Sequence, residues 1–150
     1  MKSRSPIHFH SEEVDFSLSN QEEHISWIQN VIDQESKKVG ELNFIFCSDD
    51  YLLTINQEYL KHDYYTDIIT FNYNEEDAIS GDIFISIDRI TENAKERAIP
   101  FEIELERVMI HGVLHLIGYD DKEPESQATM RAKEDFCLTL HPLRNKDSST

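Results

Sequence analysis

The stretch from Glu102 to Ile117 constrains the fold more than any other part of the chain. It is apolar almost all the way around a helical wheel, so a helix there has little surface to give to solvent. Such a helix has to run through the middle of a domain, with the other elements packed around it. The rest of the chain supplies them. Ile7 to Phe16 carries strand-like apolar residues; Ser19 opens a helix, Glu22 completes its capping box, Ile25, Ile28, Val31 and Ile32 follow at helical spacing, and Gly40 stops it. Leu42 to Cys47 is a short apolar strand, after which Ser48 caps a helix carrying Leu52, Leu53, Ile55, Tyr59 and Leu60. Asp67 to Tyr73 and Asp82 to Ile87 are β-branched and aromatic, and form an antiparallel hairpin across Asn74 to Gly81. Asp88 caps a helix to about Ala98, and Pro100 separates it from the central helix. Beyond Gly118 and an acidic turn, a last helix carries Ala128, Met130, Phe136 and Leu140 and ends before Pro142. The expectation is an α+β fold, a small mixed sheet packed against helices.

A length of 150 residues suits one domain, expected over residues 1–144 with a polar tail at 145–150. The two cysteines, Cys47 and Cys137, fit neither a disulfide framework nor a zinc knuckle and are expected as buried thiols in a reducing compartment. The N-terminal stretch lacks the apolar core of a secretory signal, and no apolar run is long enough for a bilayer, so a cytoplasmic protein without a membrane partner is expected. Charge is the awkward feature. Lys and Arg number 14 against 30 Asp and Glu, a net charge of −16, which excludes nonspecific attachment to nucleic acid or anionic lipid. A polyanionic partner has to be held by a local feature that reverses the global field.

Chemistry concentrates in the central helix, in the string His111-Gly112-Val113-Leu114-His115-Leu116-Ile117-Gly118-Tyr119-Asp120-Asp121. His111 and His115 are four apart, on one face, where two imidazoles can meet one metal ion. Gly118 stands where the helix should end and can turn the chain back, bringing Asp121 toward the same ion. Two imidazoles and a carboxylate with a position left to water are an open, catalytic type of zinc set. The plainer alternative is a pair of core histidines bonded to backbone or a carboxylate. Burying two unpaired imidazoles is costly, and Gly118 with Asp121 at the correct offset favours the ligand reading. Asp120 is the rival third ligand, with holding the turn or a histidine's other nitrogen as its alternative role.

The spacing is similar to that of zinc proteases of the metzincin type, but those need Glu directly after the first His, and here that residue is Gly112. A fuller match is the YbeY family of metal-dependent single-strand endoribonucleases, or ribosomal RNA maturation factors, with the hallmark H-G-x-L-H-L-x-G-Y-D-H. His111 through Asp120 reproduces every specified position of it. Asn56, Asp63, Thr66 to Phe71 and Gly81-Asp82-Ile83 resemble the family too, in family order, so the likeness runs from about Leu42 to Leu140. The resemblance implies a zincin-like fold and one zinc ion. It also implies cleavage of single-stranded ribosomal RNA in maturation of the small-subunit 3′ end and in ribosome quality control, with ribosomal proteins or the small subunit as partners.

Two departures weaken the pull on phosphate. Asp121 replaces the family's last His and removes one unit of positive charge from the site, and Leu60 stands where the family commonly carries Arg. Lys61, which adjoins Leu60, and Arg89, Arg97 and Arg107 are the candidate RNA contacts. Asp67, Thr70 and Asp82 are candidates to line the cleft, with strand packing the alternative for Thr70 and turn or cap roles for the two aspartates. Met130 fits the helix core, and His8, His10, His24, His62 and His141 lack ligand spacing. No general base is identifiable. The alternative function is a non-enzymatic ribosome-assembly factor with a structural metal, whose acidic surface suits basic ribosomal proteins.

Overall fold

A computed structural model describes residues 6–145. In chain order the elements are β1 (Ile7–Glu12), α1 (Gln21–Gln34), β2 (Lys38–Cys47), α2 (Asp49–Leu60), β3 (Ile68–Asn72), β4 (Ala78–Ser86), α3 (Ile87–Arg97), α4 (Phe101–Ile117), α5 (Pro124–Thr139) and α6 (Pro142–Asn145). The sheet runs β1-β2-β4-β3, with β1 and β2 parallel, β2 and β4 parallel, and β3 antiparallel to β4 at the edge. This is the expected mixed sheet packed against helices. Of the tail anticipated at 145–150, Asn145 is instead the last residue of α6, and 146–150 lie outside the described residues.

Alternation along the strands sorts the side chains to two faces. Leu42, Phe44 and Phe46 of β2 and Ile79, Ile83 and Ile85 of β4 join Trp27, Ile28 and Ile32 of α1 and Met109, Val113 and Leu116 of α4 in the main core. On the other face, Cys47, Leu52 and Ile69 form a smaller cluster under α2. As its pattern required, α4 is central: even Glu104 and Glu106 are buried on it, at 1% and 2% exposure. Gly112 permits its close approach to the sheet, since a Cβ there would lie 3.0 Å from both Ile68 Cδ1 and Ile83 Cγ2.

Four local expectations are corrected. The strand from Ile7 stops at Glu12, because Glu13 takes a left-handed φ of 56°. Ser19 is not the cap of α1; Asn20, left-handed at φ 57°, precedes the helix, and its carbonyl accepts both the backbone N–H and the ring N–H of His24. Gly40 does not end α1, which stops at Gln34, but lies within β2, where it packs against Ser80. Ser86 rather than Asp88 caps α3, accepting from the Arg89 N–H, and the Asp88 carboxylate accepts the Asp49 N–H at the start of α2 instead.

Candidate functional site

The C-terminal turns of α4, the edge strand β3 and the loop from α2 to β3 enclose a cleft that His111, His115 and Asp121 all line. Three local features build it. The residues Ile68 and Thr70 are placed by β3 on the side facing α4, with Ile68 against Gly112 and Thr70 on the cleft wall. At the end of α4, Gly118 adopts φ 130° and the N–H groups of Gly118 and Tyr119 both bond the Leu114 carbonyl, which folds the chain back. Tyr119 Oη then donates to the Glu35 carboxylate at 3.1 Å, fixing the turn against α1. Asp121 thereby comes within 3.4 Å of His111 Nε2. Asp120, the rival, accepts the Lys122 N–H through Oδ1 at 3.0 Å and so holds the turn.

His111 and His115 have ring centroids 6.0 Å apart. The other nitrogen of His111, Nδ1, lies 2.6 Å from Glu134 Oε2 on α5. Glu134 is buried and is itself held by Arg107, whose Nη1 donates to Oε1 at 2.9 Å while Nη2 donates to Asp135 at 2.6 Å. Burial pulls the His111 pKa down, but the bond to Glu134 and the charges of Glu134, Asp121 and Asp67 outweigh it, leaving His111 above the usual imidazole value. For Glu134, burial alone would raise the pKa; the bonds from His111 and Arg107 hold it below the ordinary carboxylate range. An ionised Glu134 accepts the hydrogen bond of the His111 Nδ1–H and leaves the Nε2 lone pair directed at Asp121, the arrangement by which a metal-ligating histidine is oriented. By donor type His111, His115 and Asp121 suit a zinc ion; His111 Nε2 and Asp121 stand at 3.4 Å, while the three ligand atoms do not all lie within 4.8 Å of one another, so His115 has to move to join them.

The sequence candidates for RNA contact are dispersed. A second half of the cleft, sharing Asp67, His111 and Asp121 with the first, is lined by Arg97, Arg107 and Arg131. Of these, Arg107 is committed to Glu134 and Asp135, and Arg97 donates to the buried Glu104 at 2.7 Å while remaining half exposed. Arg89 pairs with Asp49 at 2.7 Å, between α2 and α3. Lys61 is exposed at the end of α2, beside Leu60, in a left-handed conformation. Asp67 and Thr70 line the cleft, whereas Asp82 does not: its neighbours Gly81 and Ile83 face α4, so alternation turns it to the other side of the sheet, where it accepts from Asn43. Sequence reasoning missed Glu134, which is 23 positions from His111 on a different helix, and Arg131 one turn before it. It also missed the role of Asn56, fully buried, which ties the loop to α2.

A second donor group lies away from the cleft. His24, Glu106 and His141, all buried, bring one ligand atom each to within 4.8 Å of one another, a group that could hold a metal ion. His24 donates its Nδ1–H to the Asn20 carbonyl, and His141 Nδ1 accepts the Leu143 N–H, so a neutral His141 carries its proton on Nε2, toward Glu106. The Nε2 atoms of His24 and His141 lie 3.6 and 3.7 Å from Glu106 Oε2, so the group links α1, α4 and the residue before α6.

With this geometry in place, the relatives are informative. A family model described as Endoribonuclease YbeY matches residues 7–141. A protein named Endoribonuclease YbeY from Flavobacterium psychrophilum is 53% identical over 132 residues, 88% of this chain and 94% of the relative. Another of that name, from Phocaeicola vulgatus, is 48% identical over 137 residues, 91% of this chain and 99% of the relative. The solution structure of a Thermotoga maritima protein matches with a TM-score of 0.65 at 30% identity, over 89% of this chain and 87% of that one. The chain belongs to the endoribonuclease YbeY family.

Proposed function

We propose that this protein is a zinc-dependent, single-strand-specific endoribonuclease acting in ribosomal RNA maturation, at the small-subunit 3′ end, and in ribosome quality control. Family membership supports nuclease chemistry. The observation that carries the reading is the convergence of His111 Nε2 and Asp121 to 3.4 Å in an open cleft, with Glu134 behind the imidazole. His111, His115 and Asp121 would hold one zinc ion. When bound, such an ion supplies Lewis-acid stabilisation for the negative charge that builds on a phosphodiester during cleavage.

The remaining work falls to the chain's own groups. Glu134 keeps the His111 proton on Nδ1 and the ring in orientation. Asp67 is the further carboxylate lining both halves of the cleft, and we assign it the acceptance of the proton from the attacking hydroxyl. Arg97 and Arg131, which line the cleft, and the exposed Lys61, between the lining residues Leu60 and His62, meet the phosphates on either side of the scissile one. The acidic surface elsewhere suits basic ribosomal proteins or the small subunit, in the cytoplasm. No helix among the described residues is long and apolar enough to cross a membrane.

The test pairs metal analysis with cleavage of single-stranded and duplex RNA by the wild type and His111→Ala. The expected result is one zinc per chain and cleavage of single strands, both lost in His111→Ala; cyclic phosphate ends would identify the RNA's own 2′-hydroxyl as nucleophile. The buried His24, Glu106 and His141 group favours one other reading, an assembly factor with a structural metal. Metal retained in His111→Ala, with no cleavage by the wild type, would establish that reading instead.

A further inference from the structure

The half of the cleft that holds His111, His115 and Asp121 has no Lys or Arg among its described lining residues, and it includes the carboxylates of Asp67 and Asp121. In a chain of net charge −16, that wall cannot grip a strand through its phosphates. It presents rings instead. His62 and Tyr64 stack with centroids 5.1 Å apart and planes 18° from parallel, and Tyr64 Oη lies 2.9 Å from His62 Nδ1, which locks one ring over the other. Tyr64 is 55% exposed, and Leu60 beside it is 39% exposed. The pair is tied from beneath by the buried Asn56: its backbone carbonyl accepts the His62 N–H at 3.0 Å, and its side-chain Nδ2 donates to the Tyr64 carbonyl at 2.9 Å. One buried residue, through its backbone and its side chain, thus holds the backbone of both ring-bearing residues at the cleft that carries the donor set.

We propose that the His62–Tyr64 pair, with Leu60 as its apolar flank, is a stacking platform for an unpaired nucleobase of the RNA and selects single strands at this site. The inference rests on the endoribonuclease reading and names how that site holds its substrate. Every base has a π face, so a ring platform gives affinity that needs neither positive charge nor a particular sequence. A base inside a duplex has both faces covered by its neighbours and cannot reach the platform without being unstacked. Stacking therefore eases the conflict between an acidic protein and a polyanionic substrate: it adds affinity that salt does not screen to the few phosphate contacts of Arg97, Arg131 and Lys61.

Binding of a labelled, unstructured 2′-O-methyl RNA oligonucleotide to the zinc-loaded protein, followed by fluorescence anisotropy, tests this alongside cleavage of the unmodified strand. Between about 50 and about 200 mM salt the wild type should show a shallow slope, corresponding to few phosphate contacts. Tyr64→Ala should bind roughly five- to a hundredfold more weakly at every salt concentration, with that slope unchanged. Tyr64→Phe should retain affinity, because the ring remains, and Tyr64→Leu should fall with Tyr64→Ala. Wild-type affinity in Tyr64→Ala or Tyr64→Leu overturns the platform, and if those variants still cleave the unmodified strand, the endoribonuclease reading stands without it. A zinc-loaded wild type that neither binds nor cleaves single strands overturns both.

Discussion

Replacing Glu134 by Gln changes one atom and should disable the metal centre from behind. Glu134 faces two donors, Arg107 Nη1 at 2.9 Å on Oε1 and His111 Nδ1 at 2.6 Å on Oε2. An amide can offer an oxygen to only one of them. Arg107 is always a donor, so the amide oxygen should turn to Arg107 and its NH2 group to His111. Two donors cannot face each other, and the imidazole must move its proton from Nδ1 to Nε2, the nitrogen directed at Asp121. Losing an outer-shell partner of this kind costs about 10- to 100-fold in metal affinity. That is about 1.4–2.7 kcal/mol. The fold should survive, because Arg107 keeps Asp135 at 2.6 Å; about 1–2 kcal/mol of stability is expected to be lost with one charge-assisted hydrogen bond. Zinc titration against a competing chelator gives the affinity, and nitrogen-15 shifts of the imidazole report the tautomer. Wild-type zinc affinity with the His111 proton still on Nδ1 would refute the reasoning.

Other substitutions probe how the site is positioned. Gly118→Ala places a side chain at φ 130° with no neighbour within 4 Å, so its cost is purely conformational, about 1–3 kcal/mol by denaturant unfolding, and zinc affinity should fall with the turn that carries Asp121. Gly112→Val drives a branched side chain into Ile68 and Ile83, where a Cβ alone already meets both at 3.0 Å; about 1–3 kcal/mol of overpacking is expected, together with weaker zinc binding as α4 lifts from β3. The thiols should be inert in the native state. Burial, aided by Asp49, Asp88 and Glu12, pushes Cys47 up to about 12, and burial pushes Cys137 to about 11 against the pull of Lys133. Native protein at pH 8 to 9 should therefore resist a thiol reagent that labels the unfolded chain at once. Because the folded values are raised, these thiols contribute stability that is intact below the ordinary value of 9.0 and lost as pH rises toward 11 and 12. Urea midpoints that hold steady from pH 9 to 11 would contradict this.

Legibility followed the range of the interactions. The central position of α4, the β3–β4 hairpin, the Ser48 cap and the buried state of both cysteines are set by periodicity or near neighbours, and all could be read from the chain. Gly40 misled because a glycine after a helical pattern usually marks its end, whereas this one serves a close contact with Ser80, forty positions away on the neighbouring strand. Asp82 misled because which face of a strand meets the central helix depends on packing; Gly81, not Asp82, lies against Leu116. His111, His115 and Asp121 share one cleft, and Asp121 reaches His111, because a helical turn and a glycine bend are local devices. Glu134 and the roles of Arg107 and Asn56 were hidden because they exist only once α5 lies against α4 and the loop has folded over α2.

The central claim is that His111, His115 and Asp121 hold the metal on which cleavage depends. Locating the ion by anomalous scattering at the zinc edge, in crystals of the zinc-loaded protein, tests it most directly. The account predicts one ion in the cleft, bound by His111 Nε2, His115 and Asp121, and none between His24, Glu106 and His141. An ion in that buried group with none in the cleft would contradict it.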